Sequence, residues 1–279
     1  MWLSNMAYKR ILTIQDISCV GQCSMTVAMP ILSACGHETC ILPTALLSTH
    51  TGGFGKPVVQ HLTETMAAMR QHWKSCDIRF DAILVGYLGS VEAVRETAEI
   101  AKELLAPEGK LIVDPAMADH GRRYSGLSEE YAAAMQQLCA RADILIPNVT
   151  EGAMLSGMEY REEPEDSYVN EILMALPGKC VVMTGVGTGS GTTGAAVRDG
   201  ENLFRVSHKK VDRAFHGTGD MFAAAFVGAL MGGKDVKRAV QIAGDFVLRA
   251  IEITLEAPAH WYGVRFESAL GYLQSLLEN

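Results

Sequence analysis

No stretch of this chain is apolar for the roughly 18 residues that a membrane-crossing helix needs, so no membrane partner is expected. It has no CxxC pair and no HExxH. The seven cysteines (Cys19, Cys23, Cys35, Cys40, Cys76, Cys139 and Cys180) are odd in number. They read as buried thiols in a reducing cytoplasm rather than as a disulfide framework. Eight histidines without ligand spacing argue against a zinc enzyme. No GxxxxGK[ST] occurs, because Lys56 is followed by Pro57 and Lys234 by Asp235, which disfavours a Walker-type nucleotidase. Basic residues are outnumbered, 24 Lys and Arg against 32 Asp and Glu, and the net charge of −8 argues against a nucleic-acid partner. The exception is local: His208, Lys209 and Lys210, with Arg213 nearby, form either a solvated loop or a nucleotide contact. The opening MWLSNMAYKR is too short and polar for a signal peptide. Residues 1–8 are expected to be a flexible tail, with Met6 a candidate start.

What the chain does have is apolar residues, 48% of 279, enough for a sizeable core. Short apolar strands alternate with longer amphipathic helices. Strands are expected at Arg10–Gln15, Glu38–Pro43, Asp81–Gly86, Lys110–Asp114, Asp143–Pro147 and Lys179–Thr184, with a strand pair Ala195–Val197 and Asn202–Val206. Helices are expected at Ser24–Cys35, Pro57–Lys74, Ser90–Leu105, Ser128–Arg141, Thr150–Gly157, Tyr168–Ala175, Asp220–Met231, Asp235–Leu255 and Gly263–Leu277. This alternation implies an α/β fold: one domain over residues 1–279, with a mainly parallel sheet covered by helices on both faces.

Five strands end in residues with polar chemistry: Asp16, Tyr87, Asp114, Asn148 and Thr184. Each alone is an ordinary cap or turn former. Together they mark one edge, since ligands in open α/β sheets bind beyond the carboxyl ends of the strands. Thr44–Lys56 adds a loop rich in hydroxyls and glycines, and Ala116–Ser125 a polar loop able to close as a lid. Gly189–Gly194 matches GxGxxG, yet AAVRDGENLFRV follows, which reads as a hairpin and not as the helix that a dinucleotide site requires.

The most informative stretch is Phe215-His216-Gly217-Thr218-Gly219-Asp220, opening an apolar helix. A helix start offers unpaired N–H groups and a positive dipole end, where an anion can be cradled. An aspartate in the same turn can take a proton from an attacking hydroxyl. Anion cradle and base within one turn suggest phosphoryl transfer to an alcohol. The alternative is a small-residue helix start packed closely on the sheet. ATP chemistry needs Mg²⁺, which prefers oxygen ligands, and Asp114 and Glu151 are the candidate ligands, directly or through water.

With these residues assembled, the chain resembles the ribokinase-like superfamily and, within it, the pyridoxal (vitamin B6) kinases. The resemblance runs from Ile11 to the last helix. It is carried by His216–Asp220, with Ser48–Gly52, Phe54-Gly55, Gly86-Tyr87, Val113–Pro115, Ala142–Ile144, Pro147-Asn148, Glu151 and Val181–Thr184 in support. It implies a three-layer sandwich and a homodimer. It also implies Asp220 as the base for a 5′-hydroxyl, and Gly217, Thr218 and Gly219 as the anion hole. Asp16, Ser18, Thr51, Gly52 and Tyr87 would contact the ring substrate. Asp114, Asn148, Glu151, Thr184, Val211 and Phe215 would serve ATP and Mg²⁺.

The chain departs from that family's pattern twice. Asp16 stands where a serine usually follows the first strand, with Ser18 two residues on. Ile146 replaces a threonine linked to cation binding, which leaves a monovalent-cation requirement open. Hydroxymethylpyrimidine kinases share the signature, and the segment DISCVGQCSM shares their Asp-x-Ser but lacks their glycine cluster. Their substrate is therefore the alternative. A non-catalytic B6- or nucleotide-binding sensor is another, opposed by the retention of Asp220 beside an intact Gly-Thr-Gly.

Overall fold

The computed structural model describes residues 8–189 and 191–278, so the expected tail, with Met6, lies almost wholly outside the described residues. Its first strand, β1 (Arg10–Ser18), leads through a loop to α1 (Met25–Ala34) and β2 (Glu38–Leu47). β3 (Val59–His61), α2 (Thr63–Ser75), β4 (Phe80–Val85), α3 (Val91–Leu104) and β5 (Leu105–Val113) follow. A small hairpin, β6 (Ala118–Asp119) and β7 (Arg122–Arg123), precedes α4 (Glu129–Cys139), β8 (Ile144–Leu145), α5 (Val149–Ser156) and α6 (Asp166–Ala175). The chain closes with β9 (Cys180–Thr184), β10 (Thr192–Asp199), β11 (Asn202–Lys209), α7 (Thr218–Met231), α8 (Val236–Leu255), a 3₁₀ turn (Phe266–Ala269) and α9 (Leu270–Glu278).

The described strands pair into a sheet of order β11-β10-β9-β8-β5-β4-β1-β2-β3. Pairs from β2 through β1, β4, β5 and β8 to β9 are parallel; β3, β10 and β11 add antiparallel edges. One face is covered by α2–α6, through Met66, Val94, Ile100, Tyr131, Leu138 and Ile172. The other is covered by α1, α7, α8 and α9, through Ile31, Phe226, Phe246 and Leu273. This is the three-layer sandwich that the resemblance implies. Strand order runs outward both ways from β1 and β4, and the crevice at such a switch point is where α/β sheets bind ligands.

Four local expectations are corrected. The helix expected over Pro57–Lys74 begins only at Thr63. Residues 59–61 instead form β3 against Ala45–Leu47, because proline at 57 and two β-branched valines suit an edge strand better than a helix. Residues 263–265 are not helical; Gly263 sits at φ 148 and helical structure starts at Phe266. The polar segment 116–125 is not an open loop but carries the β6–β7 hairpin. Finally β1 runs past Gln15 to Ser18, and its pairing with β2 slips between Gln15 and Ile17. The extra residue is in β2, where Thr44 and Ala45 together lie opposite Asp16.

Candidate active site

A cleft of about 510 Å³ lies beyond the carboxyl ends of β5, β8 and β9. Asp114 follows β5, Asn148 and Glu151 open α5, and Thr184 ends β9, so strand-end residues far apart in sequence meet at its floor. The far wall is the start of α7, His216 to Asp220. One end is apolar, formed by Val211, Phe215 and, from α8, Val247, Leu248 and Ile251. Lys209, Lys210 and Arg213 also line the cleft, and the Arg213 guanidinium lies 4.8 Å from the centre of the Phe215 ring.

The start of α7 has an anion-binding form. Gly217 is its N-cap, at φ 81, and has no side chain to cap the first amides. Those amides therefore remain for a ligand, together with the dipole. A Cβ on Gly219 would meet nothing within 4 Å, so the space above that turn is open.

Asp220 sits in the same turn, and its Oδ2 accepts the backbone N–H of Ser24 at 2.8 Å. Burial raises its carboxyl to about 6; the Ser24 amide opposes the shift and the charge of Asp16 adds to it. Burial also raises Asp114 well above the ordinary carboxylate value, with the charges of Glu151 and Asp220 reinforcing the effect. Glu151, 2% exposed, is pushed up to about 7 by burial.

Glu151 is already heavily engaged. Its Oε2 accepts the amide of Asn148 at 2.9 Å, and its Oε1 accepts those of Met117 at 3.0 Å and Ala118 at 3.4 Å. In return Asn148 Oδ1 accepts the Glu151 amide, and its Nδ2 donates to the Ala118 carbonyl. The pair is thus a capping box that also seats the β6–β7 hairpin. Asp114, by contrast, has a single backbone donor, from Ala116, acting on it. An oxygen-seeking cation shared with phosphate oxygens would relieve the crowding of charge around Asp114, so this donor set fits Mg²⁺. Among the described residues no three acidic, histidine or cysteine side chains form a complete metal cage. Ile146 lines the cleft, and its hydrocarbon side chain offers a monovalent cation no oxygen where a threonine side chain would.

The residues expected to meet the ring substrate lie outside this cleft, on the other side of Asp220. Asp16 is 3% exposed and accepts the Ser18 hydroxyl at 3.1 Å. Its charge acts on both Tyr87 and Asp220, which places these groups together. Asp114 and Asp220 also border a small gap lined by Gln15 and Gly86, on the side away from the cleft's apolar end. Gly52 packs under the ring of His216, whose Nε2 lies 2.3 Å from where a Cβ would stand. His50 Nδ1 accepts the Gly52 amide at 2.9 Å, so its Nε2 carries the proton donated to the Tyr262 carbonyl at 3.0 Å. Thr51 itself stands exposed on that loop.

Several cleft or site residues had no signal in the sequence. Asp119 and Tyr124 reach the cleft through the hairpin. His208, of the basic cluster read as a solvated loop or a nucleotide contact, does enter the cleft, opposite Gly244. Ser24 lies 196 residues from the aspartate it contacts.

The family model described as phosphomethylpyrimidine kinase matches residues 31–264. The chain belongs to the phosphomethylpyrimidine kinase family. It is an enzyme of the kinase class, and its fold is that of pyridoxal kinases in the ribokinase-like superfamily. A pyridoxine/pyridoxal/pyridoxamine kinase of Bordetella avium is 29% identical over 261 residues, 88% of this chain and 85% of that protein. The crystal structure of a Lactobacillus plantarum pyridoxal kinase superposes with a TM-score of 0.89 at 32% identity, covering 98% of this chain and 99% of the other. A candidate phosphomethylpyrimidine kinase of Bacteroides thetaiotaomicron, crystallised with pyridoxal, gives 0.89 at 30% identity, covering 96% of each chain. Asp16, Ser18 and Ser24 precede the stretch that the family model matches, whereas the whole cleft lining falls within it. Among the described residues no helix is long and apolar enough to cross a membrane.

Proposed function

We propose that this kinase transfers the terminal phosphoryl group of ATP to the 5′-hydroxyl of pyridoxal, pyridoxamine or pyridoxine, in pyridoxal 5′-phosphate salvage. The observation that carries the reading is the position of Asp220. It stands between the large cleft and the Asp16 side, in the turn that also presents the free amides of α7. The cleft suits a nucleoside triphosphate: an apolar end for a base, basic groups along its lining, and acids at the phosphate end.

In this reading the substrate alcohol approaches from the Asp16 side. With Oδ2 held by Ser24, the Oδ1 of Asp220 accepts the alcohol proton. The alcohol oxygen bonds to the terminal phosphorus as the bond from that phosphorus to the bridging oxygen breaks, and ADP leaves with the electron pair. Amides of Gly217, Thr218 and Gly219 stabilise the charge on the transferring group, and positioning supplies the rest. Asp114 would hold Mg²⁺, which when bound neutralises phosphate charge. Glu151 and Asn148 shape the same end through the hairpin they hold.

A second substrate, hydroxymethylpyrimidine, has the same reacting ring alcohol, and a hydroxymethylpyrimidine/phosphomethylpyrimidine kinase of Bacillus subtilis, 28% identical over 181 residues, supports it. Asp16 sits at the ring end in either case. ADP release from Mg-ATP with pyridoxal, pyridoxamine, pyridoxine and hydroxymethylpyrimidine in turn separates the two readings. Turnover of the pyrimidine alone would overturn the B6 assignment.

A further inference from the structure

The β6–β7 hairpin is fixed at its base by Glu151 and Asn148, and its tip is fixed separately. Asp119 pairs with Arg122, so the turn between them has two residues. Both are left-handed, His120 at φ 48 and Gly121 at φ 74, the form that two-residue hairpins favour. The Asp119 carboxylate accepts the His120 amide at 2.8 Å. The Gly121 amide lies outside the ladder and donates to the Oγ1 of Thr150 at 3.0 Å. Thr150 is 2% exposed and sits in the first turn of α5, between Asn148 and Glu151.

A second contact bears on the same glycine. A Cβ on Gly121 would lie 2.6 Å from the Cδ1 of Tyr160, so the turn rests against that ring. Tyr160 belongs to the segment between α5 and α6, and that segment is tied down. The Tyr168 hydroxyl of α6 donates to the Glu159 carbonyl, and the Arg161 guanidinium lies 4.2 Å from the centre of the Tyr168 ring. The tip is therefore held from two sides.

Thr150 and Tyr160 do not line the cleft, whereas Asp119 and Tyr124, on either side of the tip, do. The Tyr124 amide donates to the Met117 carbonyl at 2.9 Å, which ties both cleft residues to the one hairpin. A hydroxyl that pins the tip acts on the cleft through them. We propose that Thr150 is a positioning residue for the nucleotide: its hydroxyl sets the hairpin tip, and with it Asp119 and Tyr124, against the cleft. The inference deepens the function proposed above and rests on its assignment of the cleft to ATP. The hairpin stands on the nucleotide side of Asp220, so the effect is confined to ATP.

The test measures dissociation constants for ATP, pyridoxine and hydroxymethylpyrimidine by calorimetry, KM and kcat, melting temperature, and hydrogen exchange at Gly121. The proteins are the wild type, T150V, T150S, G121A and G121A/T150V. Valine fills much the same space as threonine and lacks the acceptor. T150V is expected to weaken ATP binding about tenfold, the upper end for one neutral hydrogen bond, and to change binding of the ring alcohols by less than about twofold. The KM for ATP should rise to match. Exchange at Gly121 should accelerate while the melting temperature stays near the wild-type value, because Gly121 is half-buried and water can take its amide. T150S keeps the hydroxyl and is expected to bind ATP as the wild type does. G121A drives the turn off the Tyr160 ring and is expected to weaken ATP binding by itself. Adding T150V to it should change little, since both act on one contact. Wild-type ATP affinity in T150V, an equal loss for a ring alcohol, no recovery in T150S, or additive losses in the double variant would each overturn the role of Thr150. A wild type that binds no ATP overturns it together with the reading of the cleft.

Discussion

The carbonyl oxygen of Gln22 lies 2.0 Å from where a Cβ on Gly217 would stand. Backbone therefore meets backbone at the start of α7, and no rotamer change can make room for a side chain. Gly217 also has φ 81, which an L-residue adopts only with strain. G217A is expected to cost more than the roughly 1–3 kcal/mol of a strained backbone position, because the turn carrying Gln22 and Ser24 must also move. Thermal unfolding reads the first effect. Loss of turnover in whatever folded protein remains reads the second, since displacing the amides by 1 Å costs about a hundredfold. A G217A protein with native stability would refute the contact.

Asp220 combines two roles that D220N separates. As base, its removal is expected to lower turnover by about 10²–10⁴-fold. As a buried carboxyl raised from 3.8 to about 6, it binds a proton more tightly in the folded than in the unfolded chain. The sign follows from linkage: its contribution is fully favourable below pH 4 and is lost as pH rises through 6. At pH 8 the ionised group costs stability, and D220N is expected to be more stable than the wild type by about 1–3 kcal/mol. By pH 4 that advantage should vanish. Denaturant titrations of both proteins at pH 4, 6 and 8 check this, and a constant difference across pH would exclude the shift. The acid limb of the wild-type turnover profile is expected near pH 6 for the same reason.

What the sequence made legible depended on local pattern. Parallel strands read as short apolar runs, and five strand ends carried polar chemistry that pointed to one edge only when taken together, as with Asp114 and Thr184. Gly217–Asp220 was legible because an anion cradle and a base share one helical turn. Other features depend on partners remote in sequence. Ser24 looks like an ordinary N-cap until α7 packs against it. The bulge at Thr44 and Ala45, opposite Asp16, arises from the pairing of β2 with β1. β3 exists because Leu46 and Leu47 offer an edge to Gln60 and Val59, and the hairpin at 118–123 because Glu151 holds its first amides. Glu151 shows the limit most clearly. Its type and spacing suggested a metal ligand, while the fold gives its oxygens to three backbone amides.

That engagement sets an expectation for Glu151. E151A leaves the buried amides of Met117, Ala118 and Asn148 without an acceptor, at about 1–3 kcal/mol for each that water cannot reach. Hydrogen exchange at Met117 and Ala118 should accelerate, and the protein should melt at a lower temperature without any ligand present. E151Q is expected to recover only part of the loss. One of its two positions becomes a donor, and both must accept here. Full recovery by glutamine, with native exchange at 117 and 118, would return Glu151 to a role in charge alone.

At the apolar end of the cleft, Gly244 of α8 faces His208 of β11. A Cβ there would lie 2.0 Å from the imidazole Cε1. Burial lowers the His208 proton affinity, so the ring is neutral at pH 7 and packs as a flat wall rather than as a cation. The obstructing atom belongs to a side chain end, so G244A need not unfold the protein; it is expected to swing the imidazole away from α8 and into the cleft. Alanine is also a better helix former than glycine, by about 1 kcal/mol, which offsets part of the crowding. The expected outcome is a near-native melting temperature with the KM for ATP raised about tenfold or more, and the KM for the alcohol unchanged. H208A/G244A, which removes the displaced ring, is expected to restore ATP affinity toward the wild-type value. If G244A instead leaves the KM for ATP untouched, this end of the cleft does not hold the base.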